Sequence, residues 1–202
     1  MVKVKQEAGR ASGQDRRGEI LRMASEIFAE KGFVSATVRD IADAAGILSG
    51  SLYHHFDSKE AMLEEFLKGM LQGLVSQYEA VLAEDADASA TLRAMIGIGL
   101  RSVVETPEGI KILHNDYGYL SQTERFAFVD DEGDRIMEQW VTALRRGIDS
   151  GDFRSDVDSR IAYRVIMGAI FSAVRWFRPD GSVSVDELAD VFTQMYVDGL
   201  RA

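Results

Sequence analysis

Cysteine is absent from the chain. That excludes disulfides, cysteine-ligated zinc, iron–sulfur clusters and a thiol nucleophile. Proline occurs twice in 202 residues, well under the usual share of about 5%. An interior proline costs a helix about 3 kcal/mol, so its scarcity favours long uninterrupted helices. No apolar run approaches the roughly 20 residues of a membrane span. The opening stretch MVKVKQEAGRASGQDRRGE has no apolar centre of a secretion signal, so a cytoplasmic protein with no membrane partner is expected. No segment alternates with period two for long enough to make a strand, and no repeat of 20–50 residues is visible. What remains is a chain 46% hydrophobic and 28% charged, a globular composition, with apolar residues at helical spacing. The expected fold class is all-α.

Negative charge dominates, at a net of −10, but unevenly. Residues 1–59 carry nine Lys/Arg against eight Asp/Glu, and the remaining 143 carry fourteen against twenty-five. A near-neutral head with a basic start, followed by an acidic body, permits phosphate binding at one end only.

Residues 1–14 mix Gly, Ser, Gln and charges without periodicity and read as an arm. Ile20, Leu21, Ala24, Ile27 and Phe28 then mark a helix that stops at Lys31-Gly32. Thr37 is an N-cap with Asp40 three residues on, opening a short helix that Gly46 ends. Ser49 to His55 reads as a third short helix. Ser58 caps a fourth, whose stripe Met62, Leu63, Phe66, Leu67, Met70, Leu74, Tyr78, Val81 runs for about 30 Å. Five more helices are expected, near 88–105, 107–117, 124–150, 159–177 and 185–198. This is a three-helix head joined by a long helix to a larger helical bundle, with a division at 1–60 and 61–202.

The segment 37–56, TVRDIADAAGILSGSLYHHF, is a helix, a tight turn and a second short helix. Packed crosswise, the pair leaves the polar side of the second helix facing outward. Small Ser49, Gly50 and Ser51 let its backbone approach base edges in a major groove about 12 Å wide. Tyr53, His54, His55 and Lys59 are placed to reach phosphates, and Thr37 presents a helix N-terminus beside them. Lys59 lies in a first helical turn, where a cation opposes the dipole, so a phosphate partner is expected for it. Adjacent histidines on a helix point about 100° apart, which favours DNA contact over a metal site; neither a metal nor a cofactor is expected.

From Arg16 onward the string RRGEILRMASEIFAEKGFVSATVRDIADAAGILSGSLYHHFDSKEAML resembles the TetR family of bacterial transcriptional regulators. The resemblance rests on Gly32, Thr37, Ile41-Ala42, Ala45-Gly46, Gly50, Leu52-Tyr53, Phe56 and Lys59. It implies a homodimeric, all-helical repressor that binds double-stranded operator DNA and is released by a small-molecule effector held in the C-terminal region. Where family members often carry Val-Ser-Lys, this chain has Ile47-Leu48-Ser49, so the hydroxyl cap is expected one residue later, at Ser49. ILSGSLYHHF, together with VRWFRPDG at 174–181, is similar to an actinobacterial subgroup that includes regulators of steroid-ring catabolism, some of which answer coenzyme A thioesters.

For the effector, Met95, Ile98, Phe126, Met137, Trp140, Met167, Ile170 and Phe171 are the expected pocket wall, doubling as core. Arg175, between apolar Val174 and Trp176, is the first choice to grip an anionic group, with Arg164 and Arg125 behind it. Dimerisation is expected through the last two long helices, by Ile161, Val165, Gly168, Ala169, Ser172 and Ala173 with Leu188, Val191, Phe192 and Met195. His114-Asn115-Asp116-Tyr117 is a polar cluster suited to gating a pocket. An all-α enzyme, or a ligand binder that has lost DNA binding, are the competing classes. Against an enzyme stand the missing Gly-x-Ser-x-Gly, phosphate-cradling glycine loop and His-Glu metal spacing; against the second stands the motif across Thr37–Phe56.

Overall fold

The computed structural model describes the backbone of residues 2–84 and 86–201, and side chains from Arg16 onward. Ten α-helices make up its described part: α1 Val2–Lys31, α2 Val38–Ala45, α3 Ser49–Leu52, α4 Lys59–Ala83, α5 Ala88–Glu105, α6 Pro107–Asn115, α7 Tyr117–Leu120, α8 Phe128–Asp149, α9 Ser159–Ser172 and α10 Val185–Leu200. Single 3₁₀ turns precede α8 and follow α9. No described helix is long and apolar enough to cross a membrane.

In the body, the helix expected near 107–117 ends at Asn115, the one near 124–150 begins at Phe128, and the one near 159–177 ends at Ser172. In the head, three readings need correction. The segment expected as an arm is helical from Val2 onward, continuous with α1; no proline interrupts it. The third helix is one turn long, because Tyr53, His54 and His55 leave it in a turn closed by His55 N–H to the Leu52 carbonyl at 2.9 Å. The N-cap of α3 is Leu48, not Ser49, and no side chain caps it.

Helices α1 to α3 enclose a small core of Ile20, Ala24, Phe28, Ile41, Ala42, Leu52 and Phe56, closed by Met62 and Leu63 from the start of α4. Its punctuation is chemical. Gly32 (φ 79°) and Gly46 (φ 64°) supply the left-handed turns that end α1 and α2, a conformation glycine adopts without steric cost. Thr37 and Asp40 form a reciprocal capping box on α2. The body packs α4 against α8 and α5 against α10, with α9 laid across α5 and α8. Its centre is Trp140, fully buried against Tyr78 (ring centroids 5.6 Å).

Head and body meet at Phe33. Its ring stands edge-on to Phe28 and Phe126 and beside Tyr119, at centroid distances of 5.1, 6.1 and 5.3 Å. The Phe33 N–H donates to Asp116 Oδ1 at 3.2 Å, and its carbonyl accepts from Lys59 Nζ at 2.8 Å. At the far end, the Arg154 N–H donates to the Leu200 carbonyl at 2.8 Å, tying the α8–α9 turn to the end of α10.

Candidate nucleic-acid interface and effector cavity

On the outer surface of the head, Thr37, Ser49, Gly50, Tyr53 and His54 are exposed, and Ser51 and His55 are half-buried. Gly50 has open space where a side chain would stand, so its backbone is accessible to a close partner. The capping box presents the N-terminus of α2 at the same surface: Thr37 Oγ1 accepts from Asp40 N–H at 3.1 Å, and Asp40 Oδ2 accepts from Thr37 N–H at 2.9 Å. The Lys31 ammonium and then the Thr37 hydroxyl and N–H hold the Asp40 carboxyl well below the usual carboxylate range. The result is a rigid bihelical corner with small and donor-bearing residues outward, sized for a major groove.

Lys59 is the exception among the residues expected here. Its Nζ donates to the carbonyls of Phe33 and Ala36, both at 2.8 Å, and lies 4.5 Å from the centre of the Phe33 ring. The cation is committed to fastening the α1–α2 connection, which also explains a lysine in a first helical turn. Arg16 and Arg17 are likewise engaged: Arg16 donates to the Ala45 carbonyl at 2.7 Å, and Arg17 pairs with Glu65 and covers the Phe56 ring. Two residues on this surface were given no contact role from the sequence. Arg39 on α2 has an 85% exposed side chain with only a loose 3.7 Å pair to Asp43. Leu48 is 81% exposed. Neither carries a periodicity signal, since both point away from the core.

In the body, a cavity of about 480 Å³ opens between α4, α5, α6, α8 and α9, within the size range of small-molecule sites. Of the expected wall, Met137, Met167 and Phe171 line it. Met95, Ile98, Phe126, Trp140 and Ile170 do not; they are buried core, Phe126 at the head–body seam. Hydrophobic spacing marks the inward face of a helix but cannot tell a wall with a void behind it from a filled one. The lining also includes Leu71, Leu74 and Tyr78 of α4, Leu113 of α6, and Tyr163 of α9, none of them expected there from the sequence. Burial pushes both tyrosine hydroxyls up, keeping them neutral donors.

The charged lining residues are acidic. Asp130 and Asp134 stand on α8 with Gly133 between them, and Tyr117 Oη donates to Asp130 Oδ1 at 2.8 Å. Arg125 is paired with Glu64 at 2.6 Å and Arg164 is an exposed residue outside the lining, so neither serves as an anion clamp there. Arg175 borders a separate crevice of about 150 Å³ with His114, Ser172 and Phe171, its Nη1 3.4 Å from His114 Nε2. Phe171, Ile110, Leu113 and His114 enclose a smaller space alongside; Phe171 thus borders the cavity and the Arg175 crevice alike.

Asp116, in the cluster read as a gate, ends α6 beside cavity-lining Tyr117 and reaches back to Phe33. Its second oxygen is buried without a partner, and desolvation raises its carboxyl above the ordinary range. Among the described residues, no group of three or more His, Asp or Glu is arranged to hold a metal ion.

Comparison with known proteins finds matches in both parts of the chain. The bacterial regulatory protein family named for tetR matches residues 20–66, and the tetracyclin repressor-like C-terminal domain matches 85–200. The chain is 42% identical over 187 residues to the HTH-type transcriptional repressor KstR2 of Rhodococcus jostii, covering 93% of this chain and 92% of that one. The repressor of the same name from Mycolicibacterium smegmatis is 35% identical over 185 residues, with 92% and 90% covered. Among solved structures, the ketosteroid transcriptional regulator KstR2 of Mycobacterium tuberculosis superposes with a TM-score of 0.88 at 35% identity, over 93% of this chain and 95% of that one. With a helix-turn-helix head, a helical body around a cavity, and this similarity along nearly the whole length, the chain belongs to the TetR family of bacterial regulators.

Proposed function

We propose that the protein is a homodimeric transcriptional repressor whose head (residues 1–60) binds operator DNA and whose body (61–202) holds a small effector that releases it. One observation carries the reading: α4 belongs to both halves. Its first turns pack Met62 and Leu63 against the head core and place Lys59 on the α1–α2 connection, and two to five turns on, Leu71, Leu74 and Tyr78 line the cavity. A ligand that displaces those side chains acts on the head through one continuous helix. Asp116 offers a parallel route, from Tyr117 at the cavity to the backbone of Phe33. In a dimer, recognition helices must sit about 34–36 Å apart to enter successive major grooves on one face. An effector shifts that spacing only by its differential affinity for the two arrangements, typically about 1–3 kcal/mol.

The contacts supported at the DNA are Ser49, Gly50, Ser51, Tyr53, His54 and His55 from α3 and its turn, with the N-terminus of α2 at Thr37. Lys59 acts indirectly, by holding the α1–α2 connection. The named relatives are repressors, one described as a ketosteroid regulator. Together with the apolar lining, this supports a polycyclic or acyl effector carrying an anionic group, such as a coenzyme A thioester. With Asp130 and Asp134 in the cavity wall, the apolar part belongs inside and the anion on the Arg175–His114 side of Phe171. Dimerisation is supported by the exposed apolar face of α9 and α10, where Ile161, Val165, Val191 and Met195 are each more than half exposed. Ala173 and Leu188, expected on that face, are buried within the protomer. A cytoplasmic location follows from the role.

The test is a gel shift with DNA selected from a random pool, across a salt series. Binding should weaken by about 0.9 in log K per log salt for each phosphate neutralised. Coenzyme A thioesters of polycyclic acids should release the DNA and raise the melting temperature of wild type but not of Arg175→Ala. Salt-independent binding, or none, would remove the repressor reading.

A further inference from the structure

We infer that Leu48 reads operator sequence directly, by packing its side chain on the C5-methyl group of a thymine in the major groove. The inference rests on the DNA-binding reading above and adds to it a specificity-determining residue. Leu48 is 81% exposed, the highest value of any large apolar side chain among the described residues. A lone surface leucine is ordinary in itself. This one sits at the N-cap of the helix that faces the groove, with extended backbone (φ −72°, ψ 143°) and no side-chain cap. That position favours Ser, Thr, Asp or Asn, whose oxygen would satisfy a free N–H. Leucine there forgoes the cap and exposes apolar surface at once, two local costs with no compensation inside the protein.

The surroundings fix what the side chain can meet. Ile47 is half-buried and anchors the turn, whereas Ser49 and Gly50 beyond are exposed and short, with open space at Gly50. Leu48 is therefore the tallest apolar group on the leading edge of the helix. Base edges in the major groove display donors and acceptors for every pair, and thymine alone adds an apolar group, its methyl. Serine or lysine at this position would address oxygens and ring nitrogens; leucine addresses the methyl. The Leu48 backbone stays useful meanwhile, its carbonyl accepting from Ser51 N–H at 2.8 Å, so the side chain is free to contact DNA without unsettling α3.

The experiment uses the full-length dimer and a duplex selected by it from a random pool. Each thymine of the selected site is replaced in turn by deoxyuridine, which removes only the methyl, and affinity is measured at fixed salt for wild type, Leu48→Ala and Leu48→Ser. Wild type should lose about fourfold in affinity at one thymine of each half-site, the worth of one buried methyl. At that same position Leu48→Ala and Leu48→Ser should bind thymine and deoxyuridine equally. Because Leu48 is exposed, both variants should keep the wild-type melting temperature, Leu48→Ser rising slightly through the restored cap. An equal deoxyuridine penalty in wild type and Leu48→Ala, or no penalty at any thymine in wild type, would overturn the assignment while leaving DNA binding in place. Failure to select any sequence would instead remove the DNA-binding reading, and Leu48 readout with it.

Discussion

A lysine ammonium has three protons to donate, and at Lys59 two of them reach the carbonyls of Phe33 and Ala36 at 2.8 Å. Hydrogen bonds from a charged group contribute about 1.5–3 kcal/mol each when their partners are shielded. Lys59→Met keeps the stem and loses the donors, so we expect unfolding free energy to fall by about 3 kcal/mol or more in urea denaturation, and DNA affinity to fall equally for all sequences. Unchanged stability would return Lys59 to the phosphate contacts. Asp40 makes a prediction in pH. Its folded-state carboxyl lies below the ordinary value of 3.8 because Lys31, then Thr37, stabilise the charged form. Such a group contributes stability above its unfolded pKa and loses it as pH falls through the folded value. The melting temperature of wild type should therefore drop below about pH 4, and the advantage of wild type over Asp40→Asn should be full at pH 7 and shrink in acid. A constant gap across pH 7 to 2 would contradict the assignment.

Helix α8 carries one wall of the cavity, and Gly133 lies in that wall with nothing within 4 Å of where a side chain would begin. A side chain can therefore begin at Gly133 without collision, and Gly133→Leu should gain about 0.8 kcal/mol of helix propensity and extend into effector space. The expected outcome is intact DNA binding that no longer responds to effector in a release assay; a full response would show that the ligand lies elsewhere. At this scale the sequence was most informative where a helix begins or ends by local chemistry. The stop at Lys31-Gly32, the Thr37 cap with its Asp40 partner and the Gly46 break are all found in place, because each depends on residues within one turn. The length of α3 was not legible: Tyr53 to His55 keep helix-compatible residues, yet tertiary packing of Leu52 and Phe56 turns the chain after one turn. Cavity walls failed for a related reason. Met95, Trp140 and Ile170 share the spacing of Met137 and Met167, and only the placement of α6 relative to α4 and α9 decides which of them face a void.

For the whole molecule, the apolar face of α9 and α10 is the feature that most needs a partner. Ile161, Val165 and Met195 also line a broad surface groove, so in the proposed dimer a charge placed there would meet apolar surface of the second copy. Val165→Asp with Met195→Glu should give a monomer by sedimentation at micromolar concentration, with operator affinity reduced because one head occupies only one half-site. A dimer that persists would place the interface elsewhere. The pairing of α10 with α5 has a consequence in time rather than space. Helix α10 follows α5 by almost a hundred residues, about 5–20 s of synthesis at about 5–20 residues per second. Every residue of the α1–α4 core is already present before α5 begins, whereas the face of α5 that packs against α10 waits through that interval. On the ribosome, then, the part that meets DNA is complete in sequence well before the part that would silence it, and the flank of α5 that α10 covers stays open until α10 follows.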